Sequence, residues 1–313
     1  MKLQTKIPLD KQSDNLIDYH SNVILFGSCF SENIGKKLDY FKFQTNQNPF
    51  GILFHPKAIE TLIVNAIEGK QYSEYDVFYH NEQWHSFDAH SKLSNPSKET
   101  LVIDLNSKIK QSFNSIKNAT HIIITLGTAW VYRDLKTDKI VANCHKVPQK
   151  QFKKELLSVD DITTSLKNIL NVIRSVNYKA TIIFTVSPIR HIKDGFIENT
   201  LSKAHLITAI HRVIANQSIY FPSFEIMMDE LRDYRFYNQD MVHPSELAIN
   251  YIWNTFKTVW ISKEAYKVMD EVDVIQKGLK HKPFNETSLA HKEFIQNLET
   301  KIKSLKLKFP HIK

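Results

Sequence analysis

Apolar residues run nearly unbroken in four short stretches, 22–26, 121–126, 180–186 and 218–221, and each stretch ends in a turn signal. β-Branched runs of this length, bounded by Gly, Pro or Ser, read as buried strands. Between and after them the pattern changes to apolar residues three and four apart. That period predicts helices over 31–39, 55–68, 98–118, 158–176, 200–214, 244–260 and 285–308. Strand alternating with helix at this spacing predicts an α/β fold, a parallel sheet covered on both faces in three layers, flavodoxin-like in type. Two aromatic segments, 75–86 and 130–142, break the rhythm and read as hairpins, with turns near His80-Asn81-Glu82 and Lys136-Thr137-Asp138. Hairpins inserted between sheet strands commonly roof a site, and packing alone would also account for them. Residues 1–262 are therefore read as one α/β domain and 263–313 as a lysine-rich helical extension.

Composition narrows the class. Of the 313 residues, 42% are hydrophobic and 24% charged, as in an ordinary globular protein with ample core. The start leads into Pro, Asp and Lys without an apolar core segment, so no secretory signal is read. No apolar run is long enough to span a membrane. Two cysteines, Cys29 and Cys144, are too few for a disulfide framework, and a reducing cytoplasm is expected. The net charge of +8 is read as a lysine-rich surface. Residues 263–313 carry eleven Lys against seven acidic residues, a solvated helical face. No zinc-finger or RNA-recognition signature is present, so nucleic acid is not expected as a partner.

Candidate chemistry concentrates where the first apolar run breaks, at Gly27-Ser28-Cys29-Phe30-Ser31. A strand that turns straight into a helix puts its turn at the carboxyl edge of the sheet, where open α/β folds hold ligands. The helix amino terminus there favours an anion, and with a neighbouring histidine it is expected to depress the Cys29 pKa. Ser28 and Cys29 compete as nucleophile; Ser28 alternatively caps the helix or lends its N–H to an oxyanion. The base is offered by Asp240-Met241-Val242-His243-Pro244-Ser245, in which Asp240 reaches the imidazole of His243 and Pro244 suits the first helical position. Cys144, His145 and Lys146 follow a hairpin and are candidates for lining the same cleft. Arg190 and His191 follow a strand; Arg190 is placed to grip a carboxylate or phosphate. No metal site is assigned, because Cys29, Cys144, His145 and His243 match no zinc spacing.

Gly27-Ser28-Cys29-Phe30-Ser31 resembles the signature of the GSCFA family, with Ser31 in place of the closing Ala, and through it the SGNH/GDSL hydrolase superfamily. The resemblance covers most of 20–260. It extends to Asn48-Pro49-Phe50-Gly51, Thr125-Leu126-Gly127-Thr128, Asn143-Cys144-His145-Lys146 and Ser187-Pro188-Ile189-Arg190-His191, while Asp240–His243 is similar to the superfamily's Asp-x-x-His block. It implies a triad of Cys29 (or Ser28), His243 and Asp240. It also implies an oxyanion hole from the Cys29 and Gly51 N–H groups. The superfamily's Asn is absent from Gly127-Thr128-Ala129, which leaves Asn48 or the Gly127/Thr128 backbone as substitutes. The implied activity is acyl-ester hydrolysis or O-acyl transfer, most simply of acetyl on a carbohydrate-like substrate. No bound cofactor is implied, and acetyl-CoA would be the acyl donor of a transferase. The alternatives are a ligand-binding descendant without turnover and, more distantly, an anion or nucleic-acid binder using the lysine-rich tail.

Overall fold

Alternate side chains of the apolar runs part to opposite faces of one sheet. Ile24, Phe26, Ile122, Ile124, Ile182 and Phe184 enter one core, and Val23, Leu25, Ile123 and Ile183 enter another. The computed structural model describes residues 4–214 and 218–312; the first three residues of the amino-terminal stretch and the last residue of the extension lie outside these ranges. In chain order the elements are β1 (Asn22–Gly27), α1 (Cys29–Tyr40), β2 (Gln44–Gln47), α2 (Pro56–Glu68), β3 (Phe78–His80), β4 (Gln83–His85), α3 (Lys98–Asn118), β5 (His121–Leu126), β6 (Trp130–Asp134), β7 (Lys139–Val141) and β8 (Phe152–Leu156). They continue with α4 (Val159–Val176), β9 (Thr181–Val186), α5 (Phe196–Val213), β10 (Ser218–Tyr220), the short turn α6 (Ser223–Glu225), α7 (Glu246–Trp260), α8 (Lys263–Lys280) and α9 (Leu289–Lys308).

Five strands form the main sheet in the order β10-β9-β5-β1-β2, all parallel. Counted along this sheet alone, that is the flavodoxin-like order, and its direction reverses between β1 and β5. Helices α2, α3, α4 and α5 cover one face, and α1, α7, α8 and α9 cover the other. The fold is the three-layer α/β architecture expected from the sequence. The helical extension packs on the second face: Ala265, Met269, Val272 and Ile275 join that core, and Tyr40 Oη donates to Asp273 Oδ1 at 2.8 Å. No helix among the described residues is long and apolar enough to cross a membrane.

The hairpins form as two small sheets apart from the main one, joined in a layer by a shared core. β3 pairs with β4, and β6 sits between β7 and β8, all antiparallel. Asn81 and Glu82 take positive φ in the first turn, and Asp138 does so in the second. Three departures from the sequence reading matter for the site. β2 is an unpredicted strand, because Gln44-Thr45-Asn46-Gln47 has no apolar alternation and lies at the sheet edge. α1 starts two residues earlier than expected, at Cys29, which makes Ser28 its cap. α7 starts at Glu246 with Ser245 as its cap, so Pro244 stays outside the helix and bridges Tyr237 instead of filling the first helical position.

Candidate functional site

Gly27 sets the bend after β1. Its φ is +135°, and a Cβ there would stand 2.1 Å from Thr125 O of the neighbouring strand, so only glycine fits. Ser28 follows with its N–H on Thr125 O at 3.1 Å and its Oγ accepting from Phe30 N at 3.3 Å. The serine is wholly buried, and its oxygen serves as the helix cap. Cys29 is the first residue of α1 and half-buried. Its N–H has no intrahelical acceptor at that position.

The thiol environment differs from the sequence expectation. Burial raises the Cys29 pKa first and Glu32 raises it further; its own backbone N–H, Lys92 and Lys36 only partly offset this. Glu32 sits one turn along α1 and pairs with Lys92 at 3.0 Å, which offsets one of the two cations that lower the thiol. The same Lys92 belongs to the segment after β4, so that segment reaches the first turn of α1.

The second chain segment is the loop before α7. Asp240 Oδ2 lies 2.6 Å from His243 Nδ1, and Oδ1 accepts the N–H groups of Val242 and His243, each at 2.9 Å. Those backbone bonds, then the imidazole, hold the Asp240 carboxyl down to about 2. The spacing predicted from the sequence is thus realised as a hydrogen-bonded acid–imidazole pair. The loop lies at the carboxyl edge, where Arg190 N–H, beyond the end of β9, donates to Val242 O at 3.2 Å. Cys29 and Val242 pack against the same apolar core. Among the described residues no hydrogen bond joins Cys29 to His243.

Between these segments lies Gly127, beyond β5. A Cβ at this position would come within 3.3 Å of Ser28 Cβ and 3.2 Å of His191 Nε2, so bend, glycine and His191 ring are in contact. His191 is pushed down to about 3 by burial, then by Lys203 and His243, and its Nε2 is buried without a partner. It is a neutral imidazole, unsuited to act as base near neutral pH.

The oxyanion donors need correction. Gly51 N–H donates to Asn48 O at 2.7 Å, and the Gly127 and Thr128 N–H groups both donate to Phe54 O, at 2.7 and 3.1 Å, so none of the three is free. Asn48 Oδ1 accepts from Gly27 N at 2.9 Å, which leaves its Nδ2 buried without a partner. A buried orphan donor costs roughly 1–3 kcal/mol and asks for an acceptor.

His145 and Lys146 belong to the hairpin layer, where the His145 ring is already engaged. Both ring nitrogens of His145 are taken, by Ser91 Oγ at 3.1 Å and Ser86 O at 2.8 Å, and burial pushes the ring down to about 4. Lys146 is exposed on the same turn of the hairpin layer. Cys144 packs in the small hairpin core, and burial raises it to about 11. Arg190 is engaged beside the 240–243 loop: its Nη2 donates to Met241 O, three aromatic rings lie within 5.9 Å of the guanidinium, and its Nε is buried without a partner.

Lys203 escaped the sequence reading. It is 1% exposed on α5, and its Nζ donates to Gly127 O at 2.7 Å and Ser187 O at 2.8 Å, tying the ends of β5 and β9 directly beneath the site. The signal was present: Lys203 occupies the buried stripe of α5 with Leu206, Ile210 and Val213, where a lysine has no place unless its ammonium is paired.

A search of the curated proteins found no match. Among solved structures the chain is similar to a carbohydrate esterase family 3 protein from Talaromyces cellulolyticus, at 9% identity and a TM-score of 0.33, covering 81% of this chain and 99% of that one. It is also similar to an acetyl xylan esterase (Est2A) from the rumen bacterium Butyrivibrio proteoclasticus, at 9% identity and a TM-score of 0.30, covering 84% of this chain and 65% of that one. The model of the GSCFA family matches residues 22–256, from the first strand to α7, and that of the GSCFA domain protein C-terminal domain matches 272–313. The chain belongs to the GSCFA family.

Proposed function

We propose that this protein is an acyl-ester hydrolase or O-acyltransferase in which Cys29 attacks the acyl carbonyl, His243 carries the proton and Asp240 orients His243. The observation that carries the reading is the 2.6 Å bond between Asp240 and His243 at the sheet edge where the half-buried thiol opens α1. Asp240 holds the proton of the imidazole on Nδ1, which leaves Nε2 as the acceptor.

Because burial and Glu32 keep Cys29 protonated, the thiol needs a base. As Sγ bonds to the acyl carbon, the thiol proton passes to His243 Nε2 and the carbonyl oxygen becomes an oxyanion. Collapse breaks the ester C–O bond, and the departing alkoxide takes the proton back from His243. Water, or the hydroxyl of an acceptor, then attacks the thioester with the same proton route and frees Sγ. The Cys29 N–H at the helix start is the first oxyanion donor. Asn48 Nδ2 is the second, which requires the 48–51 turn to give way as substrate enters. Ser28 is left to the cap, since its oxygen is buried and already accepts Phe30 N–H. The substrate class favoured is an acetyl ester of a carbohydrate-like alcohol, with acetyl-CoA as donor if the protein is a transferase.

The missing hydrogen bond between Cys29 and His243 favours a second reading, a ligand-binding descendant that holds an ester without turning it over. Incubation with p-nitrophenyl acetate, followed by intact-protein and peptide mass analysis, separates the two. One acetyl group on Cys29, absent from Cys29→Ala and formed slowly in His243→Ala, supports the enzyme. Unmodified protein that is nonetheless stabilised thermally by the ester supports the binder.

A further inference from the structure

We propose that Arg190 is a positioning residue, a strap that fixes the Asp240–His243 pair against the edge of the sheet. The inference rests on the reading of His243 as the proton carrier, and its test separates the two. Residues 240–243 form a loop in which the Asp240 and His243 side chains are 48% and 44% exposed. The carboxylate bonds within the loop, to two backbone N–H groups and the ring. Asn238 N–H on His243 O and Met241 N–H on Asn238 O close it locally as well. These bonds fix the ring relative to the loop and leave the loop unplaced relative to β1 and Cys29. Met241 has φ +55°, a conformation a non-glycine residue keeps only when its surroundings impose it.

Among the described residues, the hydrogen bonds that join 240–243 to a distant part of the chain both come from Arg190. Its N–H donates to Val242 O and its Nη2 to Met241 O. The base of this strap is firm. Ile189 is buried, Ser187 N–H donates to Leu126 O, Ser187 O accepts from Lys203, and His191 N–H donates to Asn199 Oδ1. The outer end is gripped too: the guanidinium lies 4.4 Å from the Tyr237 ring, 5.3 Å from Tyr234 and 5.9 Å from Phe196. Tyr237 bridges Pro244, so the two tyrosine rings belong to the stretch of chain that runs beside the loop, while Phe196 opens α5. A planar cation that stacks and donates sideways at once suits both contacts, and a lysine ammonium meets only part of them.

The test uses the full chain with Arg190→Gln and Arg190→Lys. Hydrogen exchange at the Val242 and His243 amides and the downfield Nδ1–H resonance of His243 read the loop directly. Steady-state hydrolysis of p-nitrophenyl acetate reads its consequence. In Arg190→Gln the two amides should exchange at least ~10-fold faster with the resonance broadened, and kcat should fall roughly 10- to 100-fold with KM little changed. Arg190→Lys should recover part of both and serves if the glutamine variant folds poorly. Unchanged amide protection and kcat would overturn the strap, as would a raised KM at constant kcat, which would return Arg190 to substrate contact. If the wild type hydrolyses no ester, the functional reading fails, while faster amide exchange in Arg190→Gln still supports the strap and unchanged exchange overturns it.

Discussion

Asp240 and His243 are joined at 2.6 Å through Oδ2 and Nδ1, and the second carboxylate oxygen takes two backbone N–H groups of the same loop. The carboxyl, held down to about 2, therefore stays charged through any ordinary working range. Asp240→Asn removes that charge and leaves the loop one good acceptor oxygen. Ester hydrolysis should fall by roughly 10²–10⁴-fold in Asp240→Asn and in His243→Ala. Asp240 is exposed and His243 only half-buried, so the urea midpoint should move little. Rates within a few-fold of wild type in both variants would remove the pair from the chemistry.

Cys29 and Glu32 are coupled electrostatically, and that coupling has a definite sign. Glu32 raises the thiol pKa, so Glu32→Gln should lower it; Lys92 lowers it, so Lys92→Met should raise it. The pH dependence of iodoacetamide alkylation reads this directly. Cys144→Ser provides the background, since the second thiol is also half-buried. The wild-type midpoint should lie above an ordinary thiol, with the two variants displaced to opposite sides. A Glu32→Gln midpoint at or above the wild-type value would contradict the assigned cause.

Ser28 and Gly27 should separate stability from chemistry. Ser28→Ala loses a helix cap and should cost about 1 kcal/mol, with acylation of Cys29 preserved within a few-fold. Gly27→Ala forces a methyl against Thr125 O at a left-handed backbone position, so it should cost roughly 3 kcal/mol or more. Urea unfolding gives both numbers, and peptide mass mapping after ester treatment gives the acylation. Loss of acylation in Ser28→Ala, at intact stability, would move the nucleophile to the serine.

The parts of the molecule that were legible in the sequence are those where one physical demand dominates. The runs ending at Phe26, Leu126 and Val186 had to be buried on both faces, so they announced a parallel sheet. Asp240 and His243 met because three residues of loop suffice to bring a carboxylate to a ring. What stayed hidden depends on partners distant in sequence. β2 has polar side chains and is a strand only because β1 offers its edge to Gln44–Gln47. Gly51 looked available as a donor until the fold closed its N–H on Asn48 O. Arg190 looked like a ligand-gripping group because nothing local in the chain foretells Met241 O. The Cys29 pKa was expected to fall from the helix terminus and a neighbouring histidine, and burial with Glu32 reverses the direction.

Buried neutral histidines give the last prediction, on acid stability. His55 caps α2 with Nδ1 accepting from Ala58 N at 3.1 Å, while its Nε2 contacts Val141 O at 3.1 Å. Burial pushes it down to about 4; His145 is down to about 4 and His191 to about 3. Each is lowered from an ordinary value of 6.5, so below that pH the unfolded chain binds protons that the folded chain refuses. The stability these groups confer is complete above about pH 6.5 and declines as pH falls toward 4, by up to ~1.4 kcal/mol per pH unit for each histidine. Against a total of order 5–15 kcal/mol, three such groups bring unfolding within reach of mildly acid solution. Urea midpoints should drop steeply between about pH 7 and about pH 5. His55→Asn keeps a capping oxygen and loses the contact to Val141 O, so it should cost about 1 kcal/mol at neutral pH and make the acid decline shallower. An equally steep decline in His55→Asn would show that His55 carries no part of it.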